Sequence, residues 1–179
     1  MKLLACPKCH QQLHLENKTL KCENNHCYDI SKRGYINLLL NPDKATNNPG
    51  DSKESLVARK AYLNKGYYDP ILNQVITCID EFKHQDDLSI LDLGCGEGYY
   101  TQGLKKHFEN SDIYGLDISK IAIDMATRYR KDVTWLVGNS KNIPILDHSL
   151  DFICALFTVV NQDELKRALK EDGYIVHVT

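Results

Sequence analysis

The first 26 residues contain four side chains that could bind one metal ion. Cys6 and Cys9 are separated by two residues, and after twelve more residues Cys22 and His26 form a second pair. A Cys-x-x-Cys turn lets two thiolates point at the same ion, and the second pair completes the tetrahedron that zinc prefers. Cys27 could replace His26, and the spacing leaves this choice open. The pattern predicts a structural zinc site, since a redox Cys-x-x-Cys pair normally lies at a helix start in a βαβ unit.

A glycine-rich segment follows a short apolar run in the second half of the chain. Residues 89–93 are typical of a buried strand, and they lead into Gly94–Gly98 and then a helical pattern. Glycine lets the backbone adopt positive φ and pass close to a ligand, and the helix start offers free N–H groups. A dinucleotide site needs a third glycine where this chain has Tyr99 and Tyr100. S-adenosylmethionine has no phosphate, so the loop, including Gly94 and Gly96, favours this cofactor.

Polar residues also end the next two predicted strands. Asp117 could accept hydrogen bonds from ribose hydroxyls, although it would serve any nucleoside cofactor. Asn139 and Ser140 end the third strand, where adenine contacts lie in a doubly wound sheet. Two alternatives stay open, because Asp117 could cap the following helix and Asn139 could simply form a turn.

The hydrophobic pattern divides the chain into a short polar front and an α/β body. Residues 1–36 are predicted to form the zinc-binding module, residues 37–51 a linker rich in Asn and Pro, and residues 52–179 the cofactor domain. From residue 88 strands alternate with helices, which predicts βαβ units, a parallel-rich sheet and a Rossmann-like fold. A module this short has little apolar content, so we expect metal to supply its folding energy and its loss to leave the sheet domain intact.

Charge is unevenly distributed along the chain. Residues 1–65 carry eleven Lys and Arg and six Asp and Glu, a net charge of +5, and the remainder carries −7. A basic front on an acidic body suggests a polyanion as the partner of the front, although a solvated lysine-rich face explains the charge equally well. No membrane-spanning run and no signal peptide are evident, so the sequence predicts a cytoplasmic protein without membrane contact.

Several motifs together resemble those of the bacterial 23S ribosomal RNA (guanine-N1)-methyltransferases, enzymes that modify the loop of hairpin 35. The resemblance covers essentially the whole chain and is far more specific than any single motif. Its marks are Cys6-Pro7-x-Cys9, Cys22-x3-His26, Gly34-Tyr35-x-Asn37-Leu38-Leu39, Pro49-Gly50-Asp51-Ser52, Ala58-Arg59, Tyr62-Leu63, Gly66-x-Tyr68-x-Pro70 and Leu91-Asp92-x-Gly94-Cys95-Gly96-Glu97-Gly98-Tyr99-Tyr100-Thr101.

The resemblance implies a function and roles for individual residues. It implies a class I methyltransferase domain that transfers a methyl group from S-adenosylmethionine to N1 of a guanine, and a zinc module that recognises a 23S rRNA hairpin loop. It also implies a homodimer. The zinc ligands it implies are Cys6, Cys9, Cys22 and His26, and the cofactor contacts are Tyr68, Gly96, Glu97 and Asp117.

The chain departs from the family pattern in two places. Residues 157–161 lack the proline expected near the target base, and Asn161 and Asp163 could equally cap the next helix, so we assign no catalytic residue. The family continues beyond Thr179, so we expect the methyltransferase domain to be truncated at its C-terminus. Two other functions stay open: a methyltransferase acting on a small molecule, and a non-catalytic zinc-dependent RNA-binding protein.

Overall fold

The computed structural model describes residues 1–40 and 51–179. Most of the predicted linker, and the Pro49-Gly50 motif, lie outside the described residues. The elements in chain order are β1 (His14–Glu16), β2 (Thr19–Lys21), β3 (Cys27–Asp29), β4 (Ile36–Asn37), α1 (Lys53–Leu63), α2 (Asp69–Phe82), β5 (Ser89–Leu93), α3 (Tyr99–His107), β6 (Asp112–Asp117), α4 (Lys120–Ala126), β7 (Thr134–Val137), β8 (Leu150–Leu156), α5 (Gln162–Ala168) and β9 (Leu169–Val178).

The N-terminal segment folds as a small three-stranded antiparallel sheet. β2 lies between β1 and β3, with Glu16 opposite Thr19 and Thr19 opposite Asp29. Asn17 turns the first hairpin with a φ of 59°, a conformation that Asn tolerates better than most residues. The strands have three residues each, which is too short for a hydrophobic alternation to reveal them in the sequence.

Six parallel strands form the main sheet, in the order β4-β7-β6-β5-β8-β9. The strands from β5 to β7 run outward in one direction, and β8 and β9 lie on the other side of β5. The order therefore reverses at β5, and ligands of open α/β sheets bind at the carboxyl ends of the strands at such a reversal. The predicted Rossmann-like, parallel-rich fold is confirmed.

Local sequence explains where several helices begin. Ser52, Ser119 and Asn161 each accept a hydrogen bond from backbone N–H groups in the first turn of α1, α4 and α5. Such caps satisfy donors that have no partner inside the helix. Asn161 accepts from the N–H groups of Asp163 and Glu164, so this side chain is engaged as a cap, the alternative that the sequence left open.

The N-terminal sheet and the main sheet share one hydrophobic core. Leu4, Cys6 and Cys22 are buried in the same cluster as Ile143 and Ile145 from the segment between β7 and β8. The backbone joins the two parts as well, because the N–H of residue 5 donates to the carbonyl of residue 144 at 3.0 Å and the N–H of residue 146 donates to that of residue 3 at 2.9 Å. β4 also pairs with β7. The expectation that the sheet domain stands apart from the zinc module is therefore wrong, because the two bury each other's apolar side chains.

The helices of the main domain are of ordinary globular length. Within residues 1–40 and 51–179, no helix is both long enough and apolar enough to cross a bilayer.

Candidate functional site

A cluster of three sulfur atoms and one ring nitrogen lies at the end of the N-terminal sheet. The ligand atoms of Cys6, Cys9, Cys22 and His26 all lie within 4.8 Å of one another. His26 Nδ1 lies 3.4, 3.5 and 3.4 Å from the sulfur atoms of Cys6, Cys9 and Cys22, and the Cys9 and Cys22 sulfurs are 3.7 Å apart. Tetrahedral zinc with bonds of about 2.3 Å to sulfur and about 2.0 Å to nitrogen would place its ligand atoms about 3.5–3.8 Å apart.

Two tight turns bring these four residues together. His10 follows the first pair and Asn25 precedes His26, with φ values of 59° and 58°. The backbone N–H of Gln11 lowers the pKa of Cys9 to about 6, which favours the thiolate that binds metal. Cys27 is exposed, and its sulfur donates to the Asn25 carbonyl at 3.5 Å instead of facing the cluster. The donor set and spacing fit zinc, and the predicted zinc site is confirmed.

The zinc content of the protein follows directly from this geometry. Because one group of four ligands closes one coordination sphere, we expect about one zinc per chain by elemental analysis of protein purified without added metal. The Cys27→Ser variant should contain the same amount, since Cys27 lies outside the cluster. Zinc well below one equivalent in wild-type protein would contradict the ligand set.

A second site lies at the carboxyl ends of the main-sheet strands. The loop after β5 passes between a cavity of about 270 Å³ on one side, which we call the loop cavity, and a cavity of about 220 Å³ on the other, the strand-end cavity. Gly94 contributes to the walls of both. Its φ is +73°, and a side chain here would collide with Thr158, so glycine is required at this close approach.

The structure brings all seven predicted cofactor residues to these two cavities. Tyr68, Gly94, Gly96 and Glu97 line the loop cavity, and Gly94, Asp117, Asn139 and Ser140 line the strand-end cavity.

Asp117 holds the loop and the end of its own strand at the same time. One carboxylate oxygen accepts from the Gly96 N–H at 2.9 Å, and the other accepts from the Ser119 N–H at 2.7 Å. Ser119, not Asp117, caps α4. Burial raises the pKa of Asp117, and the two N–H groups oppose the shift. Each carboxylate oxygen has a further lone pair, so both can still accept a hydroxyl proton.

Glu97 offers an acceptor that the protein itself does not use. Its side chain is 4% exposed, it lines the loop cavity, and its Oε1 atom is buried without a hydrogen-bond partner among the described residues. Burial raises the pKa of Glu97. Because a buried unsatisfied oxygen costs free energy, such an atom at a cavity wall fits a ligand that donates a proton there. The α-ammonium group of S-adenosylmethionine is such a donor.

Asn139 shows the turn that the sequence left as an alternative. Its side-chain oxygen accepts from the Lys141 N–H at 3.0 Å, while the residue also borders the strand-end cavity. The turn therefore does not remove Asn139 from the site. It fixes the backbone of residues 139–142 beside the cavity.

Sequence reasoning missed Asp92, Arg59 and Phe157. Arg59 and Phe157 line the loop cavity, but they come from α1 and from the end of β8, far from the loop in sequence. Asp92 is buried below the loop and accepts from the Thr101 hydroxyl at 2.5 Å. Burial raises the pKa of Asp92 to about 7.

The raised pKa of Asp92 predicts a pH dependence of stability. The folded chain binds this proton more tightly than the unfolded chain, whose pKa is about 3.9. The free energy of unfolding should therefore fall as pH rises toward and through about 7. Asp92→Asn removes the titration, so its stability relative to wild type should rise by about 1.4 kcal/mol between pH 6 and pH 8 in urea unfolding. The same difference at both pH values would show that Asp92 does not titrate in this range.

Known proteins match both parts of the chain. A protein-family model described as RlmA, N-terminal, a zinc ribbon, matches residues 4–45, and one described as a methyltransferase domain matches residues 90–173. A solved S-adenosylmethionine-dependent methyltransferase from Aquifex aeolicus is 27% identical, with a TM-score of 0.51 over 56% of this chain and 61% of its own. The fold and the site define an S-adenosylmethionine-dependent methyltransferase domain joined to a zinc ribbon.

Relatives over the full length narrow this class. The 23S rRNA (guanine(748)-N(1))-methyltransferase of Streptomyces fradiae is 29% identical over 181 residues, which is 100% of this chain and 64% of the relative. YxjB of Bacillus subtilis (strain 168), whose name assigns 23S rRNA (guanine-N1) methylation provisionally, is 30% identical over 98% of this chain and 64% of its own length. The chain is thus a homologue of the zinc-containing 23S rRNA (guanine-N1)-methyltransferases, and it spans 64% of the length of these relatives.

Proposed function

We propose that this protein transfers a methyl group from S-adenosylmethionine to N1 of a guanine in 23S ribosomal RNA. The observation that carries the proposal is the loop cavity at the strand reversal, with glycine at the close approach and an unpaired Glu97 oxygen in its wall. The full-length relatives supply the class of substrate, since the names of two of them contain 23S rRNA and guanine N1.

The proposed cofactor residues divide the ligand by its chemistry. Glu97 would accept from the ammonium group, and Asp117 would accept from the ribose hydroxyls. Asn139 and Ser140 would contact the adenine, and Gly94 and Gly96 give the backbone room beside the ligand. Tyr68 would form the wall of the loop cavity opposite the glycines.

Bound S-adenosylmethionine supplies an electrophilic methyl group on its sulfonium. The protein then has to orient the acceptor nitrogen, exclude water and allow the N1 proton of guanine to leave. Guanine N1 is paired in a duplex, so the base must be splayed out to be reached. We therefore propose a hairpin loop as the substrate, because bases in RNA loops are already partly unpaired.

The zinc ribbon is proposed to take part in RNA recognition. It adds the basic segment noted in the sequence, and it packs directly on residues 143–145, which follow the proposed adenine contacts. The homodimer implied by the resemblance and a cytoplasmic location stay predictions. The dimer can be tested by light scattering during gel filtration.

Methyl transfer in vitro tests the proposed function. The protein is incubated with S-adenosylmethionine carrying a labelled methyl group and with transcribed hairpin fragments of 23S rRNA, and the product nucleosides are separated. We expect label in 1-methylguanosine only. Label in a panel of small metabolites but not in RNA would favour a small-molecule methyltransferase. Binding of RNA without any binding of cofactor would favour a non-catalytic RNA-binding protein.

A further inference from the structure

Four aromatic rings lie in a row at the mouth of the loop cavity. Tyr67 contacts Tyr62 with ring centroids 5.3 Å apart, Tyr62 contacts Tyr68 at 6.0 Å, and Tyr68 contacts Phe157 at 6.0 Å. We call Tyr62, Tyr67 and Phe157 the mouth aromatics. Their exposed fractions are 49%, 62% and 52%, and Tyr62 and Phe157 also line the cavity. Large rings are usually buried, so a row of half-exposed rings beside a cavity is typical of a binding surface.

Phe157 is held in an unusual conformation at this position. Its φ is 56°, in the left-handed region that bulky residues rarely adopt. The backbone is fixed there because the Phe157 N–H donates to the Val178 carbonyl at 2.8 Å. Strained residues cluster at ligand sites, where the surrounding structure stabilises them. Here the strain turns an aromatic ring toward the cavity mouth and leaves half of it exposed to solvent.

Cations are interleaved with these rings. Residues 51–68 carry four Lys and Arg against two acids. Arg59 lines the loop cavity and pairs with Asp51, and the Lys60 ammonium lies 3.5 Å from the ring centroid of Tyr129, which is 55% exposed. An apolar surface alone would suit many partners. Aromatic faces mixed with Lys and Arg favour single-stranded nucleic acid, whose bases stack and whose phosphates pair with cations.

We infer that the mouth aromatics stack on unpaired bases of the RNA loop, with Phe157 against the guanine presented to the loop cavity. The inference rests on the proposed function and deepens it, because it adds a base-binding surface on the methyltransferase domain to the RNA recognition expected of the zinc ribbon. Phe157 is a positioning residue in this account. Tyr68 contacts the Phe157 ring edge-on and keeps it in place.

Photo-crosslinking tests the contact without requiring catalysis. RNA hairpins with 6-thioguanosine at the loop guanines are irradiated in complex with the full chain, and the modified peptides are mapped by mass spectrometry. We expect adducts on the peptide that contains Tyr62 and Tyr67 and on the peptide that contains Phe157. Adducts confined to residues 1–40, or no adduct on either aromatic peptide, would overturn the inference while leaving the proposed function standing.

Kinetics of Phe157 variants test the positioning role. Phe157→Leu should lower kcat/KM for the RNA hairpin by about tenfold or more, as expected for the loss of one stacked base. Its Kd for S-adenosylmethionine should stay within about threefold, and Phe157→Tyr should restore kcat/KM, because any aromatic face can stack. Phe82→Leu is the matched control, since Phe82 is 46% exposed and contacts Tyr174 at the far edge of the sheet.

The outcomes separate the two proposals. Phe157→Leu with wild-type kcat/KM on RNA would overturn the inference alone. Wild-type protein that methylates no RNA but crosslinks through the mouth aromatics would overturn the proposed function and leave the RNA-binding surface. A Phe157→Leu protein that melts well below wild type is replaced in the comparison by Phe157→Tyr against Phe82→Tyr, and loss of RNA turnover in the aromatic-conserving Phe157 variant would also contradict stacking.

Discussion

Cys22→Ser is expected to destabilise the whole chain, not only the zinc ribbon. The substitution removes one of four zinc ligands and places a hydroxyl at a buried position in the shared hydrophobic core. Loss of a metal site is among the few single changes that cost about 4 kcal/mol or more. For a domain of this size about 2–4 °C of Tm is lost per kcal/mol, so the Tm of the main unfolding transition should fall by about 10 °C or more.

Calorimetry of the variant beside Cys27→Ser checks this expectation. Cys27 is an exposed cysteine that lies outside the cluster, so its replacement by Ser should leave zinc content and Tm unchanged. The main sheet should lose stability together with the ribbon because Leu4 and Cys22 pack in one cluster with Ile143 and Ile145. A Cys22→Ser protein that lacks zinc but keeps the wild-type Tm would show that the ribbon folds independently.

Asp117→Ala is expected to weaken S-adenosylmethionine binding by about 10- to 100-fold. The variant loses an acceptor for the ribose hydroxyls, and hydrogen bonds to charged groups contribute about 1.5–3 kcal/mol each. It also frees the Gly96 N–H, which now donates to the Asp117 carboxylate at 2.9 Å, so the loop loses a tether. Every 1.4 kcal/mol corresponds to about a tenfold change in Kd.

Isothermal titration with S-adenosylmethionine measures this effect. Asp112→Ala is the matched control, because Asp112 begins the same strand that Asp117 ends and is exposed at the opposite edge of the sheet. The control should bind with wild-type affinity. An Asp117→Ala protein that is folded and binds within twofold of wild type would exclude Asp117 from the cofactor site.

The sheet domain could be predicted well because its signals are local. Residues 89–93 are an apolar run that ends in glycine, and the structure places β5 there. Alternation of such runs with helical patterns identified the parallel sheet, and Ser52 identified the start of α1. β9 begins at Leu169, five residues before the predicted fifth strand, because it continues directly from α5 and its first residues pair across a register shift near Leu150.

Long-range pairing could not be predicted in the same way. β4 has two residues, Ile36 and Asn37, and only its partner β7, about a hundred residues later, makes it a strand. The shared core depends on Leu4 and Ile145 meeting across the chain, which no periodicity reports.

The candidate site shows the same division. The zinc-ligand types and spacing were readable, but the choice between His26 and Cys27 depended on backbone geometry, since the left-handed Asn25 turns His26 toward the sulfurs. The glycine loop was readable because glycine has few other reasons to recur so closely. Phe157 was not, because a positive φ at phenylalanine has no sequence signature and its ring partners lie in α1 and the turn after it.

Methylation mapping of 23S rRNA tests the central claim most directly. Nucleosides and RNase fragments of 23S rRNA from cells with and without this protein are compared by mass spectrometry. The account predicts that one 1-methylguanosine in a hairpin loop disappears when the protein is absent, and that it returns with wild-type protein but only weakly with Asp117→Ala. An identical methylation map in the two strains would contradict the account.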